Sequence, residues 1–240
     1  NLIINGAMQV AQRGTSTASI TSATYVLDRT RLALSNGGTW TMSQSTTVPS
    51  GQGFSHSLKL DCTTADTSLG STDYIQLQQL IEGQNVQHFS YGTSGAKSVT
   101  VSFWIRSNKT GTYTLEVQTQ TSSSAFYQNA KAFTISSADT WEKKEITFVG
   151  NTSNNILNSN AAAFYVSLWL AAGSSRTSGT FTDGTWHNTA ANRVHSSQVN
   201  LADSTSNELY ITGLQLEVGE QATPFEHRSI GDELARCQRY

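Results

Sequence analysis

The residues best suited to chemistry in this chain lie in one long polar stretch. Between Gly173 and Asn207 the sequence places Arg176, Asp183, Trp186 and His187, with His195 eight residues further on. Such a set has two uses. Asp183, His187 and His195 could ligate a metal, although a solvated polar loop has the same composition. Alternatively, the flat Trp186 indole could stack on the apolar C–H face of a sugar while Arg176, Asp183 and His187 meet its hydroxyl rim. Trp186 sits among Gly and Thr with few apolar neighbours to bury it, and binding residues gather on wide loops carried by rigid scaffolds. A competing set lies on alternating stretches. Their polar faces show Tyr74, Gln76 and Gln78; Thr100, Ser102, Trp104 and Arg106; Thr114, Glu116 and Gln118; Tyr165, Ser167 and Trp169. If these stretches share a sheet, Tyr74, Trp104 and Trp169 form an aromatic plate ringed by amides, although core and subunit contacts use the same residue types. No Gly-x-Ser-x-Gly elbow, phosphate loop or His-Glu-x-x-His is present. Glu82, Glu116, Glu142 and Glu217 leave a glycoside-cleaving acid pair open.

These side chains are expected on strands. Apolar–polar alternation predicts strands over 25–35, 39–47, 55–64, 73–79, 98–106, 112–120, 131–136, 141–149, 163–170 and 207–217. Residues 107–111 (Ser-Asn-Lys-Thr-Gly) have a hairpin-loop composition, so 98–106 and 112–120 are expected to pair. About ten strands with polar connections predict an all-β antiparallel β-sandwich or jelly roll spanning 1–228. A helical segment over 229–240 completes the chain, with Ser229 as N-cap and Asp232 as the third-position acid. Leu234 and Cys237 share one face of that helix and should dock it. The run Glu142-Lys143-Lys144-Glu145 reads as an edge strand whose charges block unwanted pairing. Cys62, alternating with Leu58 and Leu60, reads as a small buried hydrophobe rather than half of a disulfide.

Composition narrows the classes. Charged residues make up 13% and the net charge is −2, from 15 basic and 17 acidic residues. Ser and Thr together outnumber all charged residues. No basic field suits nucleic acid or a polybasic membrane anchor, and a hydrophobic content of 37% supports a core. No apolar run is long enough to insert in a membrane, and no signal peptide is seen. Asn1 in place of an initiator Met suggests a processed or excised chain. No cofactor or metal is expected.

The ends carry a resemblance. The opening Asn1-Leu2-Ile3-Ile4-Asn5-Gly6-Ala7-Met8 and the stretch Leu209–Glu217 resemble the first and closing segments of galactose-binding-like jelly-roll carbohydrate-binding modules. The chain is also similar to bacteriophage tail-fibre and virion structural proteins, at Asn5–Gly14, Asp28-Arg29, Ile81-Glu82-Gly83, Val101–Ser107, Gln215–Gly219, Ala222–Arg228 and Glu233–Tyr240. This resemblance implies an extracellular location on the phage tail and a non-catalytic module attaching to host-surface glycan, bacterial polysaccharide or lipopolysaccharide. A homotrimer and contacts with other tail proteins follow from it. The alternative is an architectural module for trimerisation or docking, and a glycan-degrading enzyme is the third reading. Related carbohydrate-binding modules often hold a structural calcium through acids near both motifs; here Gln9, Thr212 and Gly213 occupy those places.

Overall fold

The computed structural model describes residues 1–122 and 124–238. Its strands are β1 (Ser16–Ile20), β2 (Thr24–Tyr25), β3 (Thr30–Ser35), β4 (Thr39–Ser45), β5 (Ser57–Thr64), β6 (Tyr74–Glu82), β7 (Val99–Ser107), β8 (Gly111–Gln120), β9 (Phe126–Ile135), β10 (Glu142–Phe148), β11 (Ala162–Ala172) and β12 (Glu208–Val218). They form two six-stranded antiparallel sheets. The first has the order β1-β4-β5-β12-β7-β10 and the second β2-β3-β6-β11-β8-β9. The result is an antiparallel β-sandwich of the jelly-roll type.

Alternation builds the core. Leu58, Leu60, Val101, Phe103, Ile105 and Ile211 point inward from the first sheet. Leu32, Ile75, Leu77, Tyr113, Leu115, Val117, Phe164 and Val166 meet them from the second. Each such side chain stabilises the fold by about 1.5–3 kcal/mol. Cys62 is buried and free, as is Cys237. The charged run 142–145 lies on β10, an edge strand of the first sheet, where Lys143–Glu145 and Lys144–Glu142 pair along the strand.

Three expectations are corrected. Residues 98–106 and 112–120 do not form a hairpin: β7 belongs to the first sheet and β8 to the second. Residues 107–111 instead cross between layers. Ser107 Oγ donates to Glu208 O at 2.6 Å, Asn108 Nδ2 to Ser206 O at 2.9 Å, and the Tyr113 hydroxyl to Lys109 O at 2.8 Å. Two of these bonds reach residues about a hundred positions away, so tertiary contacts hold the crossing. The stretch 25–35 is two strands, because Val26 and Leu27 turn into the core and Arg29 adopts a left-handed φ of 68°. The third is β1, absent from the sequence reading because only Ile20 of its residues is buried.

The chain ends are clasped. Asn5 is fully buried; its Oδ1 accepts from Val10 N and its Nδ2 donates to Val10 O and Asp28 O. Gly6 lies so near β12 that a Cβ would sit 2.0 Å from Leu214 O. The approach occurs at a bulge in the β12–β7 pairing, between Thr212 and Gln215. The C-terminal helix α2 (Ile230–Cys237) starts as expected, with Ser229 Oγ accepting from Asp232 N at 3.2 Å. The residues it buries are Glu233 and Cys237, four apart, while Leu234 is half-buried. Glu233 accepts from the Asn5 amide, and Arg228 donates to Asn1 O at 2.6 Å and Ile3 O at 3.1 Å. The end motifs of the sequence therefore meet in one cluster. Arg239 and Tyr240 of that motif lie outside the described residues. Among the described residues no helix is long and apolar enough to cross a membrane.

Candidate functional site

The outward face of the second sheet is polar in a regular way. In antiparallel pairing, directly opposed residues share a face. Register therefore sets rows across the sheet. One row runs Tyr25–Arg31–Gln78–Ser167–Glu116–Ala130, and the next Leu80–Tyr165–Gln118–Gln128. A third runs Ala33–Gln76–Trp169–Thr114–Ala132. Hydrogen bonds fix the first row. Arg31 Nε and Nη2 donate to Gln78 Oε1 at 3.1 and 2.5 Å, and Gln78 Nε2 donates to Gln76 Oε1 at 3.0 Å and Ser167 Oγ at 3.1 Å. Gln76 Nε2 is buried with no hydrogen-bond partner, so one amide donor stays unspent.

The segment after β11 covers one end of this face. It holds the single helical turn α1 (Ser174–Thr177) and bridges the sheet at Thr112↔Gln198 and Gln128↔His187. Under it, Trp169 is fully buried. Its Nε1 donates to Glu116 Oε2 at 2.6 Å, and Arg193 grips the same carboxylate, the closest contact being Nη2 to Oε1 at 2.7 Å. The Arg176 guanidinium lies 4.5 Å from the Tyr74 ring centroid and 5.9 Å from that of Trp169; Arg193 lies 5.1 Å from Trp169. Burial lowers the pKa of His187, whose Nδ1 sits 3.3 Å from Gln128 Nε2 and accepts from Thr189 N.

The other end stays open. Here Tyr25 is exposed, and Arg31, Leu80, Tyr165, Gln118 and Phe126 are half-buried. Tyr165 meets Phe126 edge-on with centroids 6.3 Å apart. Burial raises the Tyr165 pKa, with Arg31 acting against it. A cavity of about 270 Å³ continues this groove, bounded by Arg13, Tyr25, Arg29, Leu80, Glu82 and Cys237 among others. The arrangement offers flat rings beside oriented amides and a guanidinium. No group of three or more His, Cys, Asp or Glu among the described residues could hold a metal ion.

The predicted site residues do not gather as one site. Trp186 is corrected first: it is half-buried against the core, edge-on to Tyr91 at 5.6 Å, and its Nε1 donates to Val149 O at 2.7 Å. It packs a sheet end instead of standing free. Asp183 accepts from Ala132 N of β9 at 2.9 Å, and His187 joins Gln128. Arg176 works at the opposite side of the loop, on Tyr74 and Trp169. Trp104 belongs to β7, so it lies on the outward face of the first sheet, on the other side of the sandwich from Tyr74 and Trp169. Trp169 is closed off by Arg176 and Arg193. The open groove uses residues the sequence reading passed over, above all Tyr25 and Arg31. One signal pointed to Arg31: it alternates with Leu32 and Leu34, whose inward placement turns it outward.

No protein-family model matches the chain, and no curated protein matches it. Solved structures do. The enzymatically active domain of tailspike protein 4 from bacteriophage CBA120 shares 11% identity over 91% of this chain and 21% of that one, at a TM-score of 0.45. This chain thus spans about a fifth of that domain. The CBM22-2 xylan-binding domain of Paenibacillus barcinonensis Xyn10C shares 11% over 91% and 100%, at 0.43. A further xylan-binding domain of CBM 22 shares 12% over 88% and 99%, at 0.44. None of these scores reaches 0.5; the jelly-roll assignment rests on strand order and pairing.

Proposed function

We propose that this protein is a non-catalytic carbohydrate-binding module of a bacteriophage tail fibre, attaching the virion to host-surface polysaccharide. The observation that carries glycan binding is the open groove itself. Tyr25 and Tyr165 stand near the half-buried Arg31, whose guanidinium is held in place by the buried Gln78 and, behind it, Ser167, which pairs stacking surface with an oriented donor. Glu116, the buried acid of that face, is already held by Arg193 and Trp169, which favours binding over acid catalysis. The tail-fibre setting rests on the sequence resemblance at both chain ends. The outward face of the first sheet suits contact with another copy or a tail protein. There Trp104 and Trp141 are half-buried, and Lys59 and Arg106 flank the Tyr210 ring at 5.5 and 5.0 Å.

A panel of bacterial polysaccharides and plant glycans, read by affinity electrophoresis with sedimentation of the same sample, tests this reading. Tyr165→Ala and Tyr25→Ala are each expected to weaken binding by about 1–2 kcal/mol, because both rings already start partly exposed. Trp141→Ala should leave binding intact and lower any trimer content. If binding survives the loss of both tyrosines but fails in Trp104→Ala, the first sheet carries the site.

A further inference from the structure

The charge of the open groove, if it binds glycan as proposed, names the class of sugar. Arg31 spends Nε and Nη2 on a neutral acceptor, Gln78 Oε1. Among the described residues no carboxylate pairs with it, nor with Arg13. Arg13 is exposed and lies 5.9 Å from the Tyr25 ring centroid. Tyr25 in turn is the cross-strand neighbour of Arg31. Tyr25 thus has one guanidinium, that of Arg13, near its ring and a second, that of Arg31, on the next strand of the same face, and among the described residues neither forms an ion pair with a carboxylate. The acids nearby are occupied by N–H donors. Asp28 accepts from Gln12 N and Nε2, both at 2.8 Å, and Glu82 Oε2 accepts from Gln84 Nε2 at 2.7 Å and Asn85 Nδ2 at 3.4 Å. These neutral donors leave both carboxylates charged, so the groove and its cavity carry three cations, Arg13, Arg29 and Arg31, against two acids, Asp28 and Glu82, an excess of one cation in a chain of net charge −2.

We infer that the groove takes an acidic glycan whose sugars carry carboxylates, with Arg31 and Arg13 meeting the carboxylates while Tyr25 and Tyr165 stack on the rings. A guanidinium matches a carboxylate in plane and geometry, and charge-assisted hydrogen bonds are about twice as strong as neutral ones. A neutral sugar would leave both guanidinium groups desolvated without a counter-charge.

The test uses the full chain with polygalacturonate, alginate and hyaluronan, the same polymers with their carboxyls reduced to alcohols, neutral xylan and galactan, and dextran sulfate. At least one acidic polymer is expected to bind. Carboxyl reduction and Arg31→Gln should each raise Kd about tenfold, roughly 1.4 kcal/mol. Arg31→Lys should recover part of that loss, and raising salt from about 50 to about 500 mM should weaken binding. Arg13→Gln, at an exposed side chain, gives a second reading should Arg31→Gln disturb the Gln78 row. Equal affinity for reduced and unreduced polymers overturns the inference and leaves the glycan-binding reading standing. Equal affinity for dextran sulfate overturns carboxylate recognition in favour of a general anion surface. Binding to none of the polymers, acidic or neutral, overturns both.

Discussion

Replacing Arg193 with alanine isolates the ion pair beneath the long loop. Glu116 is fully buried, and its carboxylate has two protein partners, the Trp169 indole N–H at 2.6 Å and the Arg193 guanidinium. Arg193 side-chain exposure is only 19%, so solvent screens the pair weakly. Arg193→Ala leaves a charge in the interior with one neutral donor, which costs about 3–5 kcal/mol. It also uncovers one face of Trp169. For a chain of this length that loss lowers the melting temperature by about 6–20 °C. The desolvated carboxylate is the main cause, so Glu116→Gln in the Arg193→Ala background should restore about 2 kcal/mol. Trp169 can still donate to the amide oxygen. Denaturant unfolding of the wild type, both single variants and the double variant forms the cycle that checks this. A loss below about 1 kcal/mol in Arg193→Ala, or no repair by Glu116→Gln, would refute the claim that the pair closes this end of the sheet.

Two other outcomes follow from the same loop. Trp186→Ala should lower stability by about 2 kcal/mol, below the value for a fully buried Trp, because its ring packs on Tyr91 and its N–H would be lost from Val149 O; an unchanged melting curve contradicts that packing. His187 resists protonation because burial lowers its pKa below the ordinary 6.5. The unfolded chain then binds the proton more readily. Stability tied to this side chain is full above about pH 6.5 and falls as the pH drops through that value. His187→Gln should flatten that part of the profile, leaving a smaller slope from His88, also lowered by burial, and an acid limb from carboxylates such as Glu226.

Strand positions were legible because one face of each strand is packed. Val99, Val101, Phe103 and Ile105 alternate with polar residues and could hardly be read otherwise. The helix start was legible because Ser229 and Asp232 cap it by local chemistry alone. Sheet membership was not. The alternation of 98–106 and 112–120 is the same whether they pair or part, and bonds from Ser107 and Asn108 to residues about a hundred positions away decide the matter. The groove was half legible. Gln78, Tyr165 and Gln118 were placed on a polar face from their own strands. That Arg31 stands opposite Gln78 is a matter of register, which no single strand encodes. Core packing of Trp169 was among the readings its residue type allowed, but what covers it was hidden: a loop folds back over the sheet, and the loop's own composition is that of a solvated segment.

The position of β12 has a consequence for how the chain is made. The strand nearest the end of the sequence lies in the interior of its sheet, between β5 and β7. Until residues 208–218 leave the ribosome, β1-β4-β5 and β7-β10 are two unjoined ribbons, and β5 and β7 present bare backbone edges to each other and to any neighbouring chain. Open edges of that kind recruit strands from other molecules. The last strand to emerge is therefore the keystone of the first, and a nascent chain paused before Glu208 is expected to need protection that the finished one does not. Closure of that sheet joins residues far apart in sequence, so folding is set by a long-range search and is slow for its size.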